Sequence, residues 1–278
     1  MIVYLNGECV PAEKAAISPF DRGFLFADGV YEVARFDRGR AYRLAEHVER
    51  LREGLSALQL AVDAGFYHEV ARRLLEENRL AESDAIVYAQ VTRGGGAPRT
   101  HVFPPAGTKP TVFAFARVSD PAPPPEGGKA ILVPDDRWGR CDIKSVMLLP
   151  NTLAAQAARE AGAIDAILVR DGFALEGTRA NLFLVKDGRV QTAPNGPRIL
   201  PGVTRGATIE AARHLGHTVL EQAFTVGEML AADEVFLAST SLWTYPLVVI
   251  DGRTIGDGKP GPVAGKLKNA LYAEFTRG

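Results

Sequence analysis

The chain has 278 residues, of which 46% are hydrophobic, and a formal net charge of -1. That is enough apolar material for one large or two moderate domains, and the near-neutral balance excludes a global positive field that would gather nucleic acid or acidic lipid. Cys9 and Cys141 lie far apart with no CxxC spacing, which argues against a disulfide framework and against a zinc site or other metal. No stretch approaches the roughly 18 apolar residues of a membrane span, and MIVYLNGECVPAEK lacks a targeting pattern, so a cytoplasmic protein is expected.

Along the chain, strand-like runs cover Ile2 to Leu5, Tyr31 to Phe36, Ala85 to Arg93 and Thr111 to Ala116. Leu44, Val48, Leu51, Leu55 and Leu58 recur at helical spacing, and Phe66 to Leu80 repeats the pattern. The sharpest break is SDPAPPPEGG, Ser119 to Gly128, where consecutive prolines followed by glycines predict a semi-rigid connector. Beyond it, ILVRDGFAL, LFLVKDGRV and VVIDGRTI each carry the Asp-Gly pair of a two-residue hairpin turn, as Asn6-Gly7 does near the start. Helical stretches are expected at about 151 to 162, 204 to 215, 226 to 232 and 263 to 276, without regular βαβ alternation. The reading is α+β in two lobes: a domain over 1–118, a linker over 119–128 and a domain over 129–278.

Four segments carry chemistry. In DRWGRCDIKSVMLLPN (136 to 151), Lys144 sits among Ile143, Val146 and Met147. Partial burial would disfavour its ammonium form, as an amine that condenses with an aldehyde requires; taken alone, it could equally be a surface lysine. In LEGTRANLFLV (175 to 185), Glu176 ends one hairpin and Asn181 opens the next strand, so Glu176 reads as a solvated turn residue or as a carboxylate facing a pyridine nitrogen. In RILPGVTRGATIEAARHLG (198 to 216), Thr204 begins an amphipathic helix, either as a plain cap or as part of an anion site. EVFLASTSLWTYP (234 to 246) ends a strand in Ser239, Thr240 and Ser241, further hydroxyl donors or simply a turn.

In this order and spacing the four segments resemble fold-type IV pyridoxal-phosphate enzymes, a family of D-amino-acid transaminases, branched-chain aminotransferases, (R)-amine transaminases and aminodeoxychorismate lyases. The resemblance runs from Leu5-Asn6-Gly7 to Asp251-Gly252. It implies a two-domain fold with a smaller N-terminal α/β domain and a larger C-terminal β-rich domain, pyridoxal 5'-phosphate as cofactor, and a homodimer. It also implies that Lys144 bonds the cofactor as a Schiff base and shuttles the substrate Cα proton. Glu176 then faces the pyridine nitrogen, Leu200 packs on the ring, and Arg50, Val203, Thr204, Ser239 and Thr240 surround the phosphate.

Within the family, Tyr31 in DRGFLFADGVYEVARF and the Arg99-x-His101 pair in TRGGGAPRTHVFP match the D-amino-acid branch, where they hold the substrate α-carboxylate. An arginine, an imidazole and a phenol suit that group. The expected reaction is therefore ping-pong transfer of an amino group from a D-amino acid to 2-oxoglutarate or pyruvate. The alternatives are a branched-chain L-amino-acid or (R)-amine transaminase, an aminodeoxychorismate lyase, and a cofactor-binding protein without turnover. Two departures stand out: a third glycine in Gly94 to Gly96, and Arg179, which could bind a second substrate carboxylate or brace the phosphate.

Overall fold

The computed structural model describes residues 1–95 and 99–277. Gly96, the third glycine noted above, lies outside the described residues. The chain divides into two compact units, one of Met1–Asp120 with Ile143–Met147, the other of Pro121–Asp142 with Leu148–Gly278. The division differs from the sequence expectation at one place that matters. Lys144, expected in the C-terminal domain, belongs with the N-terminal unit, because its segment pairs with a strand there.

The first unit contains β1 (Ile2–Leu5), β2 (Glu8–Pro11), α1 (Arg22–Phe26), β3 (Gly29–Asp37), β4 (Arg40–Ala41), α2 (Leu44–Ala57), α3 (Phe66–Glu77), β5 (Asp84–Thr92) and β6 (Thr111–Val118). Its six strands form an antiparallel sheet in the order β2-β1-β6-β5-β3-β4. Alternation along β3 buries Val30, Ala34 and Phe36, and helical spacing buries Val48, Leu51 and Leu55 of α2 with Tyr67, Val70 and Leu74 of α3. The short Arg38-Gly39 turn into β4 has both residues at positive φ, 49° and 74°. Arginine gives no sequence signal for that conformation, so the turn was not expected.

The second unit contains β7 (Gly128–Pro134), α4 (Leu149–Glu160), β8 (Asp165–Arg170), β9 (Phe173–Gly177), β10 (Asn181–Lys186), β11 (Arg189–Thr192), α5 (Val203–His214), β12 (Val219–Glu221), β13 (Phe224–Thr225), α6 (Val226–Leu230), β14 (Glu234–Ser239), β15 (Trp243–Ile250), β16 (Arg253–Thr254) and α7 (Pro262–Arg277). The Asp-Gly pairs form their turns as expected: Asp171, Asp187 and Asp251, and the glycine after each, all have positive φ. Two parallel βαβ units are present nonetheless, β7-α4-β8 and β11-α5-β12, and β15 also pairs parallel to β7. Strands β10-β14-β15-β7-β8-β9 close on themselves, because Asn181 of β10 pairs with Glu176 of β9.

Phe183 and Phe236, both fully buried, stack across β10 and β14 with ring centres 5.0 Å apart. Replacing Phe236 by Ala is expected to lower stability by about 3–5 kcal/mol through lost transfer energy and the residual cavity. Denaturant unfolding of wild type and variant measures it, and a difference below roughly 1 kcal/mol would contradict this account of the core.

Candidate active site

In the first unit, residues 144–146 run antiparallel to the start of β3. Val30 and Ser145 form a bridge, the Tyr31 N–H donates to the Lys144 carbonyl at 3.0 Å, and the Val146 N–H donates to the Gly29 carbonyl at 3.0 Å. That pairing fixes the backbone of Lys144 beside Tyr31. Lys144 is half-buried, and its Nζ lies 4.3 Å from the centre of the Tyr31 ring. Tyr31 in turn stacks on Tyr88 at 5.5 Å.

The next residue of β3, Glu32, occupies a buried position of the strand's alternation and is fully enclosed. Arg50 of α2 forks onto it, Nε to Oε2 at 2.9 Å and a terminal nitrogen to Oε1 at 2.6 Å, while His47 Nδ1 lies 3.0 Å from Oε1. Burial alone would raise the Glu32 carboxyl, but Arg50 and His47 outweigh it and hold the group far below the ordinary carboxylate range. Burial pushes the His47 imidazole down; Glu32 opposes this and Arg50 and Lys144 reinforce it. His47 is therefore neutral near pH 7, donating from Nδ1 to Glu32, with its buried Nε2 left unpartnered.

Arg99 and His101 are exposed and rest on one ring, that of Phe26. The Arg99 guanidinium lies 4.5 Å from its centre, and the His101 ring meets it edge-on at 5.6 Å. The ring they share is thus not that of Tyr31, whose neighbours are Tyr88 and Lys144.

In the second unit, closure of the strand ring sets Glu176 opposite Asn181. The buried Glu176 carboxylate accepts from Arg137, from Asn181 Nδ2 at 3.0 Å and from the Leu200 N–H at 3.2 Å. Arg137 is itself forked onto Asp135 at 2.8 and 3.0 Å. Burial is the largest influence on Glu176 and outweighs Arg137, leaving its carboxyl raised to about 7. Asn181 also donates to the Leu200 carbonyl at 2.8 Å, so the backbone of Leu200 is held on both sides.

Two residues on, a Cβ at Gly202 would come within 2.1 Å of Asn181 Oδ1, so only glycine lets the chain approach this closely. Gly202 leads directly into α5, where it supplies no side-chain cap, and Thr204 in the first turn has a buried hydroxyl with no hydrogen-bond partner. Uncapped N–H groups and an orphaned hydroxyl at a helix start are what an anion site requires. The Ser239 hydroxyl serves its own turn, accepting from the Leu242 N–H at 3.3 Å, and Thr240 is half-buried in the same turn. Arg179 is exposed on the turn between β9 and β10.

The model for aminotransferases of class IV matches residues 29–249. The chain belongs to the class IV aminotransferases. It is 39% identical to a D-alanine aminotransferase from Bacillus licheniformis, over 98% of this chain and 96% of that one. Identity to a D-alanine aminotransferase from Staphylococcus haemolyticus is 40%, over 97% and 96% of the two chains. The branched-chain amino acid aminotransferase of Escherichia coli superimposes with a TM-score of 0.89 at 27% identity, over 99% of this chain and 94% of that one. This class IV aminotransferase is a pyridoxal-phosphate-dependent transferase with the two-unit α+β fold of its family.

Sequence reasoning did not single out Glu32, His47, Asp135 or Arg137. For Glu32 a signal existed, a carboxylate at an inward position of an alternating strand. His47 and Arg50 likewise fall on the buried stripe of α2. Arg137 gave none, since its partner Glu176 is 39 residues away.

The raised Glu176 carboxyl has a consequence for stability. Its folded value of about 7 exceeds the ordinary 4.5, so the folded protein binds the proton more tightly. The contribution is complete below about pH 4.5 and is lost as pH rises through 7. For cofactor-free protein this amounts to roughly 3 kcal/mol. Glu176→Gln is expected to flatten that slope in unfolding measured from pH 4.5 to 8; an unchanged slope would contradict the assignment.

Proposed function

We propose that the enzyme transfers the amino group of a D-amino acid to a 2-oxo acid such as 2-oxoglutarate or pyruvate, with Lys144 as covalent anchor of pyridoxal phosphate and as proton carrier. The observation that carries this reading is the identity of 37–40% over nearly the whole chain to proteins named D-alanine aminotransferase. The residues present fit the cofactor. The orphaned Thr204 hydroxyl and the uncapped start of α5 suit its phosphate, and the buried Glu176 suits a protonated ring nitrogen.

When bound, the cofactor supplies an electron sink that acidifies the substrate Cα–H. Lys144 Nζ accepts that proton and returns it, acting as base and then as acid. Glu176, kept in place by Arg137, Asn181 and Leu200, holds the proton of the ring nitrogen by its charge. Val203, Thr204, Ser239, Thr240 and Arg50 would hold the phosphate, Arg50 while remaining paired with Glu32, and Leu200 would pack on the ring. Arg179 braces the phosphate or takes a second substrate carboxylate. Tyr31, Arg99 and His101 receive the substrate α-carboxylate, which fixes the Cα–H that faces Lys144. We further infer a cytoplasmic homodimer with amino acids and 2-oxo acids as its small-molecule partners; light scattering is expected to give about twice the chain mass of 29.9 kDa.

Steady-state transamination tests the reading. With 2-oxoglutarate as acceptor, D-alanine is expected to turn over and L-leucine and 1-phenylethylamine to lag by at least about a hundredfold in kcat/KM. Lys144→Ala is expected to lose at least about 10³-fold in kcat. Preference for L-leucine would move the enzyme to the branched-chain reading, and full activity in Lys144→Ala would end the assignment of its role.

A further inference from the structure

We propose that Arg22 and Arg93, joined through Asp28, are positioning residues that hold the loop of Arg99 to Phe103 in the shape with which it receives a substrate carboxylate. The proposal rests on the reading of Arg99 and His101 as carboxylate-binding groups. All of the groups involved lie in the first unit.

Residues 99–103 are all exposed, including Val102 and Phe103, so the loop has little core of its own to order it. What it has is two buried guanidiniums. Arg22 reaches three successive carbonyls of the loop, those of Thr100 at 2.7 Å, Val102 at 3.2 Å and His101 at 3.4 Å. Its Nε donates to Asp28 Oδ2 at 2.8 Å. Arg93 forks onto the same carboxylate, at 2.8 and 3.0 Å, and lies 3.7 Å from the centre of the Phe103 ring. Arg93 also donates to the Leu58 and Gln59 carbonyls just past α2, at 2.6 and 3.3 Å. One carboxylate therefore holds two arginines, one at the middle of the loop and the other at its end.

The arrangement also connects the loop to Tyr31. Asp28 immediately precedes β3, three residues before Tyr31, and the Arg93 N–H donates to the Asp28 carbonyl at 3.1 Å. Burial opposes ionisation of Asp28, but bonds from Arg93 and Arg22 outweigh it and keep the carboxyl below its usual range. The clamp therefore persists at neutral pH. Arg22 also lies 4.6 Å from the centre of the Phe26 ring, on which Arg99 and His101 rest. Arg99 lies over the face of the Phe26 ring, a contact that uses no carbonyl or carboxylate acceptor. Lysine cannot replace Arg22 fully, because a single ammonium lacks the planar fork that spans a carboxylate and three carbonyls.

The test is a cycle of holoenzyme variants assayed for D-alanine kinetics, with the visible cofactor absorbance and the unfolding midpoint recorded for each. Arg22→Met is expected to raise KM for D-alanine about tenfold with kcat changed less than about threefold, leaving cofactor absorbance as in wild type. Arg22→Lys should recover part of the loss. If Arg22 acts through Arg99, adding Arg22→Met to Arg99→Ala should raise KM by less than about twofold more, whereas a merely structural role gives additive effects. Phe103→Ala, at an exposed position, loosens the other end without touching the core and is expected to raise KM about threefold. It decides the matter should Arg22→Met fail to fold.

A KM within about twofold of wild type in Arg22→Met or in Phe103→Ala, or additive effects in the double variant, overturns the proposal while leaving the carboxylate role of Arg99 intact. An unchanged KM in Arg99→Ala instead overturns that role and the clamp's function with it.

Discussion

A buried carboxylate must be paired or lose its charge, and this constraint organises the functional part of the molecule. Buried Glu32 is enclosed by Arg50 and His47, half-buried Asp28 is paired by Arg22 and Arg93, and buried Glu176 by Arg137, Asn181 and the Leu200 N–H. Each pairing also fixes a neighbour. Glu32 directly follows Tyr31 on β3, Asp28 leads into that strand and connects to the Arg99–Phe103 loop, and Glu176 aligns the backbone that enters α5.

The pairings do not leave the three carboxylates alike. Glu32 and Asp28 each meet arginine forks that overcome burial, and they stay ionised across the physiological range. Glu176 meets a single arginine shared with Asp135, and burial wins, so its charge is poised near neutrality. A cationic ring nitrogen held against Glu176, as proposed above, would supply the missing counter-charge and favour the ionised carboxyl.

Much of this was legible in the sequence. Asp-Gly and Asn-Gly pairs marked the hairpins because αL geometry at both turn positions leaves few other choices, and helical and strand periods located most elements to within a few residues. Lys144 and Glu176 stood out through the motifs around them. What the sequence concealed was long-range pairing. That Lys144 travels with β3, that Arg137 reaches Glu176, and that Arg22 reaches residues 100–102 all follow from contacts across tens of residues, with no local period to reveal them. The Arg99-x-His101 pair was visible as a motif, but its support on Phe26 and Arg22 was not, since Arg22 and Asp28 lie tens of residues from the loop and from Arg93.

The central claim is that Lys144 acts on the Cα–H of a D-amino acid with pyridoxal phosphate as cofactor. The measurement that tests it most directly is the visible absorbance of the purified protein loaded with pyridoxal phosphate, before and after adding D-alanine and, separately, L-leucine. The account predicts a protein-bound cofactor band that bleaches toward the pyridoxamine form with D-alanine and persists with L-leucine. A band that bleaches only with L-leucine, or no bound band even with pyridoxal phosphate in excess, would contradict it.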